Sequence, residues 1–267
     1  MNQILQGDSY ELIKTLPDNS VDYIIFSPPY DNLRDYDKFP PFNKDNREIL
    51  GKECLRVLKD NSICSVVIQD QTVSGRKSGT SFRLAVEWMD MGWGLFETAI
   101  YTRHGPPGVF WNKRFRVDHE YVHHFIKGEK PHYFNKEHMK IPSKNAGKMV
   151  SCDKRHKGGE TEDGKDFLCP DLKCCGTVWD YPSSNREGNK IKSQHPATYP
   201  DRLCGDLIKC FSAPDEIVLD PFGGSGTTAV MAAINGRKYI VMEYSDEYVK
   251  IIKERLKTEV DSMIKWD

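Results

Sequence analysis

No run in this 267-residue chain is long and apolar enough to cross a bilayer, so a membrane-embedded class is not expected. The first residues, MNQILQGDSY, lack the basic-then-apolar pattern of a secretory leader, and the expected location is cytoplasmic. The eight cysteines therefore read as thiols or metal ligands before disulfides. They form no C-x₂-C pair, and none sits in a Pro-Cys turn suited to covalent catalysis. The glycine-rich turn near the C-terminus has neither the G-x-G-x-x-G spacing nor the lysine of a P-loop, which disfavours a nucleoside triphosphate. A strong charge of one sign is also missing: the formal net charge is -1, a weak argument against nucleic acid.

What is present is ordinary globular composition, 38% hydrophobic and 29% charged, in a length that suits one large domain or a core with one insertion. The charge is uneven. From Arg103 to Lys165 there are 14 Lys and Arg against 8 Asp and Glu, a surplus of six, so the remainder carries -7. That asymmetry allows a basic face, with a solvated Lys-rich loop region as the plain alternative.

Apolar runs at Asn2–Gln6, Val21–Phe26, Ile63–Ile68, Phe96–Tyr101, Glu120–Ile126, Ile217–Leu219 and Lys238–Met242 read as strands. Helical spacing marks Ile49–Leu58, Phe82–Met91, Tyr199–Phe211, Thr227–Ala233 and Asp246–Val260. Strands alternating with helices predict an α/β sheet covered on both faces. Between about Thr102 and Cys175 the periodicity degrades, and after Lys127 an insertion is expected to run to about Gly176. The chain is accordingly divided into 1–101, 102–176 and 177–267.

Two turns carry chemistry. In DPFGGSGTT, the strand Ile217–Leu219 runs into Asp220, and Gly223, Gly224 and Gly226 let backbone approach a ligand. Thr227 and Thr228 then open a helix whose amide end favours electron-rich groups. Glu243 follows the next strand, 20 residues after Gly223, where an acid can accept from two ribose hydroxyls. This turn alone leaves three readings open: an adenosyl ligand, a dinucleotide, or a structural turn with no ligand. The second turn, Ser27-Pro28-Pro29-Tyr30, closes the strand Val21–Phe26. Its prolines fix φ and remove two amide donors, leaving carbonyl acceptors, the Ser27 hydroxyl and the flat face of Tyr30. That combination suits a planar amine, such as a base swung out of a duplex; a stiff turn with Tyr30 as packing is the alternative.

The order of the two turns, SPPY first and DPFGGSGTT last, resembles the β-class S-adenosylmethionine-dependent DNA amino-methyltransferases of restriction–modification systems. The likeness covers most of the chain: Gly7-Asp8, Leu16–Asp18, Asp22–Tyr30, Glu120–Lys127, Thr177–Asp180, His195–Pro200, Val218–Thr228, Gly236-Arg237 and Glu243–Tyr248. It implies a Rossmann-like seven-stranded methyltransferase sheet with circularly permuted motif order and a variable target-recognition insertion. It also implies S-adenosyl-L-methionine as cofactor. Asp220, Pro221, Phe222, Gly223, Gly224, Ser225, Gly226 and Thr227 would line its site. Glu243 would hold the ribose, Asp8 the adenine end, and His195-Pro196 the methionine end. Ser27, Pro28, Pro29 and Tyr30 would carry the target base. In the family, Ser at the head of the turn usually accompanies cytosine N4, and Asp adenine N6. The expected product is therefore N4-methylcytosine in duplex DNA, with N6-methyladenine as the alternative.

The resemblance places DNA reading outside the core, with about Thr102–Gly176 as the candidate segment. There Lys113, Arg114, Arg116, Lys154, Arg155 and Lys157 could meet phosphates or guanine edges, and Arg34 and Lys38 could clamp backbone beyond the SPPY turn. Phe110 and Trp111 could wedge into a duplex, though packing is the expected role. Cys152, His156, Cys169, Cys174 and Cys175 cluster there, but their spacing is irregular and no metal is expected. Oligomeric state (monomer or homodimer) and a partner restriction endonuclease stay open. So do two other functions: an RNA or small-amine methyltransferase, and a silent DNA-binding protein on the same scaffold.

Overall fold

The fold is described from a computed structural model, which defines residues 2–29, 40–104, 115, 117–151, 154–155, 161–162, 164, 166–182, 191–192 and 199–260. Eight strands form the main sheet: Gln3–Gln6 (β1), Val21–Phe26 (β2), Leu58–Ile68 (β3), Gly94–His104 (β4), His119–Lys127 (β5), Val178–Pro182 (β6), Ile217–Asp220 (β7) and Lys238–Glu243 (β8). Their spatial order is β1-β8-β7-β2-β3-β5-β4-β6. β5 runs antiparallel to both β3 and β4, and the remaining neighbours are parallel. Among the described residues the sheet thus has one strand more than the seven expected. The extra strand, β6, lies at the edge beside β4, and most of its residues are exposed, so it carries no apolar run to announce it.

Ser9–Leu12 (α1), Lys44–Val57 (α2) and Thr80–Asp90 (α3) cover one face. Their buried residues Tyr10, Leu50, Cys54, Leu84 and Trp88 meet Ile24 and Phe26 of β2, Leu219 of β7 and Phe125 of β5. Asp201–Phe211 (α4), Thr227–Ile234 (α5) and Asp246–Arg255 (α6) pack on one another over the other face. α4 buries Leu203, Cys204, Leu207, Ile208, Cys210 and Phe211, an apolar stripe at helical spacing. The central strand β2 is buried at all six positions, as a parallel strand covered on both faces must be. Helix boundaries differ at the ends. α2 starts at Lys44 because Asn43 caps it, accepting from the Asn46 amide at 2.9 Å. The last helix changes to a π turn at Leu256–Val260, inside the expected helix.

A second compact unit, Lys136–Gly176, separates from the rest of the chain. Its described strands pair as a nested antiparallel excursion: Ile141–Pro142 with Leu172–Lys173, Met149–Val150 with Phe167–Leu168, and Lys154–Arg155 with Thr161–Glu162. None of its side chains whose exposure is described is fully buried. Residues 102–135 belong to the larger unit, which also holds 177–267.

Two buried histidines on β5 make stability depend on pH. His124 is 2% exposed; its Nδ1 lies 2.7 Å from Ser65 Oγ, which in turn accepts from Tyr23 Oη at 2.8 Å. Burial, followed by the nearby His123, pushes His124 down to about 3. Burial pushes His123 down to about 4 against the pull of the Ser81 carbonyl and Asp70. Both are bases with depressed values, so below about pH 6.5 the unfolded chain takes up protons that the fold refuses. Their contribution is complete above that value and is lost as pH falls toward 4. At about pH 4.5 the loss is roughly 2–3 kcal/mol per histidine. Urea unfolding of His124→Gln should show a flatter acid limb than the parent; an identical limb would disprove the assignment.

Candidate functional site

The chain leaves β7 through α5 to β8 on one side, and leaves β2 through α2 to β3 on the other. Neighbouring parallel strands whose connections diverge open a crevice at their carboxyl ends. β7 ends at Asp220, β2 at Phe26 just before Ser27, β8 at Glu243, and β1 just before Gly7-Asp8. All four strands are parallel, so these ends share one edge of the sheet. Val218 pairs with Tyr23 and Leu219 with Ile24, which brings the DPFGGSGTT and SPPY turns out side by side.

An aromatic cluster fixes that adjacency. The ring of Phe222 packs 5.5 Å from Phe26, 6.0 Å from Tyr10 and 6.2 Å from Phe42, centroid to centroid. Phe222 therefore ties the glycine turn to the residue preceding Ser27. Beyond β2, Pro28 is buried, while Ser27 and Pro29 are half-buried.

The acids face the α4–α6 side. Asp220 is 1% exposed; its Oδ1 accepts from the Phe222 amide at 2.8 Å, and its Oδ2 accepts from Thr228 Oγ1 at 2.5 Å. Burial pushes its carboxyl up to about 7; those two donors oppose the rise and Glu243 adds to it. Glu243 Oε2 accepts from the Gly224 amide at 2.7 Å and Oε1 from the Ser245 amide at 2.8 Å. Burial raises its carboxyl too, against the pull of backbone amides. The Glu243 carboxylate, held by the Gly224 and Ser245 amides with that of Tyr244 nearby, retains acceptor capacity that a ribose hydroxyl can use.

The glycine turn is held tightly. Gly223 donates to the Met242 carbonyl and Gly226 to the Gly223 carbonyl, each at 2.7 Å. Gly226 has φ +81°, and a Cβ there would lie 3.1 Å from Ile252. This position requires glycine on both counts. Asp8 caps α1, accepting from the Tyr10 amide at 2.9 Å, while Gly7 donates to the Glu243 carbonyl at 2.9 Å. The Ser9 hydroxyl donates to the Pro221 carbonyl. Asp8, Ser27, Asp220 and Glu243 thus gather at one edge.

Tyr30, Arg34, Lys38, Lys113, Arg114, Arg116, Lys157, His195 and Pro196 lie outside the described residues, as do Phe110, Trp111, Cys152 and His156. Lys154 and Arg155 are described only as backbone of a short strand. One group at the opposite end of the sheet, Asp22, His132 and Glu216, has the proximity of metal ligands. Its oxygens are already engaged: Asp22 accepts from Lys59 Nζ at 2.6 Å and the Ile217 amide at 2.9 Å. Glu216 Oε2 accepts from the Ala213 amide at 2.7 Å, and Glu216 Oε1 lies 3.1 Å from His132 Nε2.

Sequence reasoning did not single out Tyr199 or Arg255, and it placed Thr228 only at the start of the helix after the glycine turn. Arg255 is fully buried behind the glycine turn, donating to the Ser225 carbonyl at 3.1 Å and to Asp201 at 3.0 Å. Its helical position offered no signal, because arginine is ordinarily exposed.

A family model described as DNA methylase, covering the N6/N4 methyltransferases, matches residues 21–254. The orphan methyltransferase M.BamHII of Bacillus amyloliquefaciens is 35% identical over 251 residues, 92% of each chain. The DNA adenine methyltransferase YhdJ of Escherichia coli (strain K12) is 28% identical over 259 residues, 95% of this chain and 82% of its own. Among solved structures, the cytosine-N4-specific PvuII DNA methyltransferase superposes with TM-score 0.71 at 19% identity, covering 99% of this chain and 93% of that one. M1.HpyAVI in complex with S-adenosyl-L-methionine superposes with TM-score 0.64 at 22% identity, covering 96% and 99%. The sheet, its two adjoining turns and these matches agree, and the chain belongs to the N6/N4 DNA methylase family.

Proposed function

We propose that this DNA methyltransferase transfers a methyl group to the exocyclic N4 amine of a cytosine swung out of duplex DNA. The methyl donor is S-adenosyl-L-methionine. When bound, it supplies an electrophilic methyl on a sulfonium centre. The donor set fits it: Glu243 has acceptor capacity for the ribose hydroxyls, Asp220 offers a buried carboxylate for a cationic group, and Asp8 follows β1 at the same edge of the sheet. Pro221, Phe222, Gly223, Gly224, Ser225, Gly226 and Thr227 would shape the surrounding wall, with His195-Pro196 completing it at the methionine end.

The single observation that supports this reading is the parallel pairing of β2 with β7, pinned by the Phe26–Phe222 contact. It starts the amine-holding turn beside the donor-holding turn. Direct transfer requires that adjacency, since the reacting atoms must come within about 3–3.5 Å. Ser27 Oγ and the Pro28 carbonyl would accept the two amine N–H groups, and Tyr30 would stack on the ring. A nucleobase amine is a poor nucleophile because its lone pair is delocalised into the ring. Two acceptors favour the localised lone pair and the positive charge that grows on nitrogen.

Ser27 supports cytosine over adenine: a neutral hydroxyl orients the amine without adding charge. The adenine reading draws on the relative YhdJ, an adenine methyltransferase. Unit 136–176 is proposed to read DNA together with the basic residues from Lys113 to Lys157, and Arg34 and Lys38 to hold phosphates. A partner endonuclease fits a restriction–modification setting. Duplex DNA, single-stranded DNA and RNA methylated by the protein would be digested to nucleosides and analysed by mass spectrometry. The expected product is N4-methylcytosine from duplex DNA; N6-methyladenine would shift the assignment to the second reading, and labelled RNA alone would remove DNA as substrate.

A further inference from the structure

We propose that Tyr199 is a positioning residue for the cofactor site: acting through Thr228, it fixes the orientation of the Asp220 carboxylate and favours its charged form. The proposal rests on the reading above, in which Asp220 meets a cationic group of S-adenosyl-L-methionine. Tyr199 Oη lies 2.6 Å from Thr228 Oγ1, which lies 2.5 Å from Asp220 Oδ2. On the other side, Tyr199 Oη lies 3.5 Å from Cys204 Sγ. Tyr199 is 9% exposed, Cys204 and Thr228 0% and Asp220 1%, so bulk water does not supply the missing donors.

Counting protons fixes the direction of this chain. An ionised carboxylate only accepts, so Thr228 must spend its single hydroxyl proton on Asp220. The Thr228 oxygen is then free to accept only, and Tyr199 must donate to it. The Tyr199 oxygen is left to accept, which the Cys204 thiol can satisfy. Each donation polarises the next hydroxyl, so Tyr199 strengthens the bond that Thr228 makes to Asp220. Protonation of Asp220 would remove the reason for this order, and the chain could run the other way. The relay therefore favours one charge state of one acid.

The surroundings make that charge state sensitive. Burial pushes Asp220 up to about 7, so its charge is decided near neutrality. Glu243 at the end of β8 raises it further. From the α4 side the facing groups are neutral: burial pushes the Cys204 thiol up to about 12 and the Tyr199 phenol well above its ordinary value. Asp201, at the start of α4, is paired with Lys192 at 2.9 Å and with Arg255 at 3.0 Å. The Phe222 amide and Thr228 are the donors that hold the carboxylate down.

The test is the dissociation constant of S-adenosyl-L-methionine, measured by calorimetry from about pH 6 to 9 for the parent, Tyr199→Phe and Asp220→Asn. The ligand's own amine titrates identically in each series, so ratios to the parent isolate the protein. With a rise of about one unit in Asp220, Tyr199→Phe should match the parent near pH 9 and bind about tenfold more weakly near pH 6. A ratio constant with pH would overturn the proposal, even if the variant were less stable, because a purely structural loss has no titration midpoint. Thr228→Val breaks the same chain and should give the same pH-dependent ratio, so the test survives if Tyr199→Phe does not fold. Asp220→Asn separates the two claims. If it binds as the parent does at every pH, the cofactor-site reading fails. If its affinity no longer tracks the Asp220 titration while Tyr199→Phe stays at a constant ratio, the relay alone fails.

Discussion

Replacing Ser27 by alanine should lower the methyl-transfer rate by about 10²–10³-fold and leave S-adenosyl-L-methionine affinity within about threefold. The split follows from where Ser27 stands. It follows β2, whereas the groups assigned to the cofactor follow β7, β8 and β1. β2 owes its place to six buried residues and to parallel pairing on both sides, none of which involves the Ser27 hydroxyl. The variant should therefore fold normally and keep the adjoining glycine turn. On the proposed reading it loses one acceptor for an amine N–H whose acidity grows during attack. Removal of one such preorganised partner typically costs 2.7–4 kcal/mol of barrier, roughly the range given above. Single-turnover methylation with saturating cofactor reads the chemical step directly. A rate within about threefold of the parent would show that Ser27 does not carry the amine, and the Pro28 carbonyl would be left as the acceptor to examine.

The parts of this fold that sequence shows best are those with the strongest physical demand. β2 is legible to the residue, Val21–Phe26, because a central parallel strand must be apolar on both faces. α4, β7, α5 and β8 follow within a residue or two, since strand, glycine turn and helix punctuate one another. The two turns proposed to hold ligands were visible for the same reason: prolines and positive-φ glycines mark backbone that no ordinary side chain can replace. Other elements left weaker traces. β3 begins at Leu58, but Lys59 is half-buried and Asp60 and Asn61 are exposed, so only the apolar part from Ile63 shows in the sequence. α1 is a single turn, too short to show a period. β6 depends on a partner strand more than seventy residues earlier and is exposed at alternate positions. Thr228 stood in the legible glycine motif, but Tyr199 and Arg255 left no trace there, because their partners are distant in sequence: Thr228 for the first, Asp201 and the glycine turn for the second.

Arg255→Met should cost about 3–5 kcal/mol of folding stability. The guanidinium is 0% exposed and uses its whole fork. Nε and Nη2 meet Glu259 at 2.8 and 3.1 Å, Nη2 also meets Asp201 at 3.0 Å, and Nη1 meets the Ser225 carbonyl at 3.1 Å. Methionine fills similar volume but leaves the Ser225 carbonyl without its donor and the partly exposed Asp201 and Glu259 without their arginine. Asp201 keeps its bond to Lys192 Nζ at 2.9 Å, so the greater loss falls on Glu259 and on the Ser225 carbonyl. Lysine would preserve charge but not the planar fork, and Arg255→Lys should recover only part of the loss. The measurement is the urea midpoint and thermal midpoint of both variants; for a domain of this size the methionine variant should melt roughly 10 °C lower. Because the guanidinium is fully buried while Asp201 and Glu259 are 17% and 23% exposed, added salt should reduce the difference only in part. Adding Glu259→Gln to Arg255→Met removes one stranded charge and should regain part of the stability. A methionine variant that melts within about 2 °C of the parent would mean that the buried ions break even with an apolar substitute, the other outcome known for such networks. The expectation of a real loss rests on Ser225: its buried carbonyl lies between Gly224 and Gly226 in the tightly hydrogen-bonded glycine turn, so losing Arg255 Nη1 leaves an acceptor there that water does not readily reach.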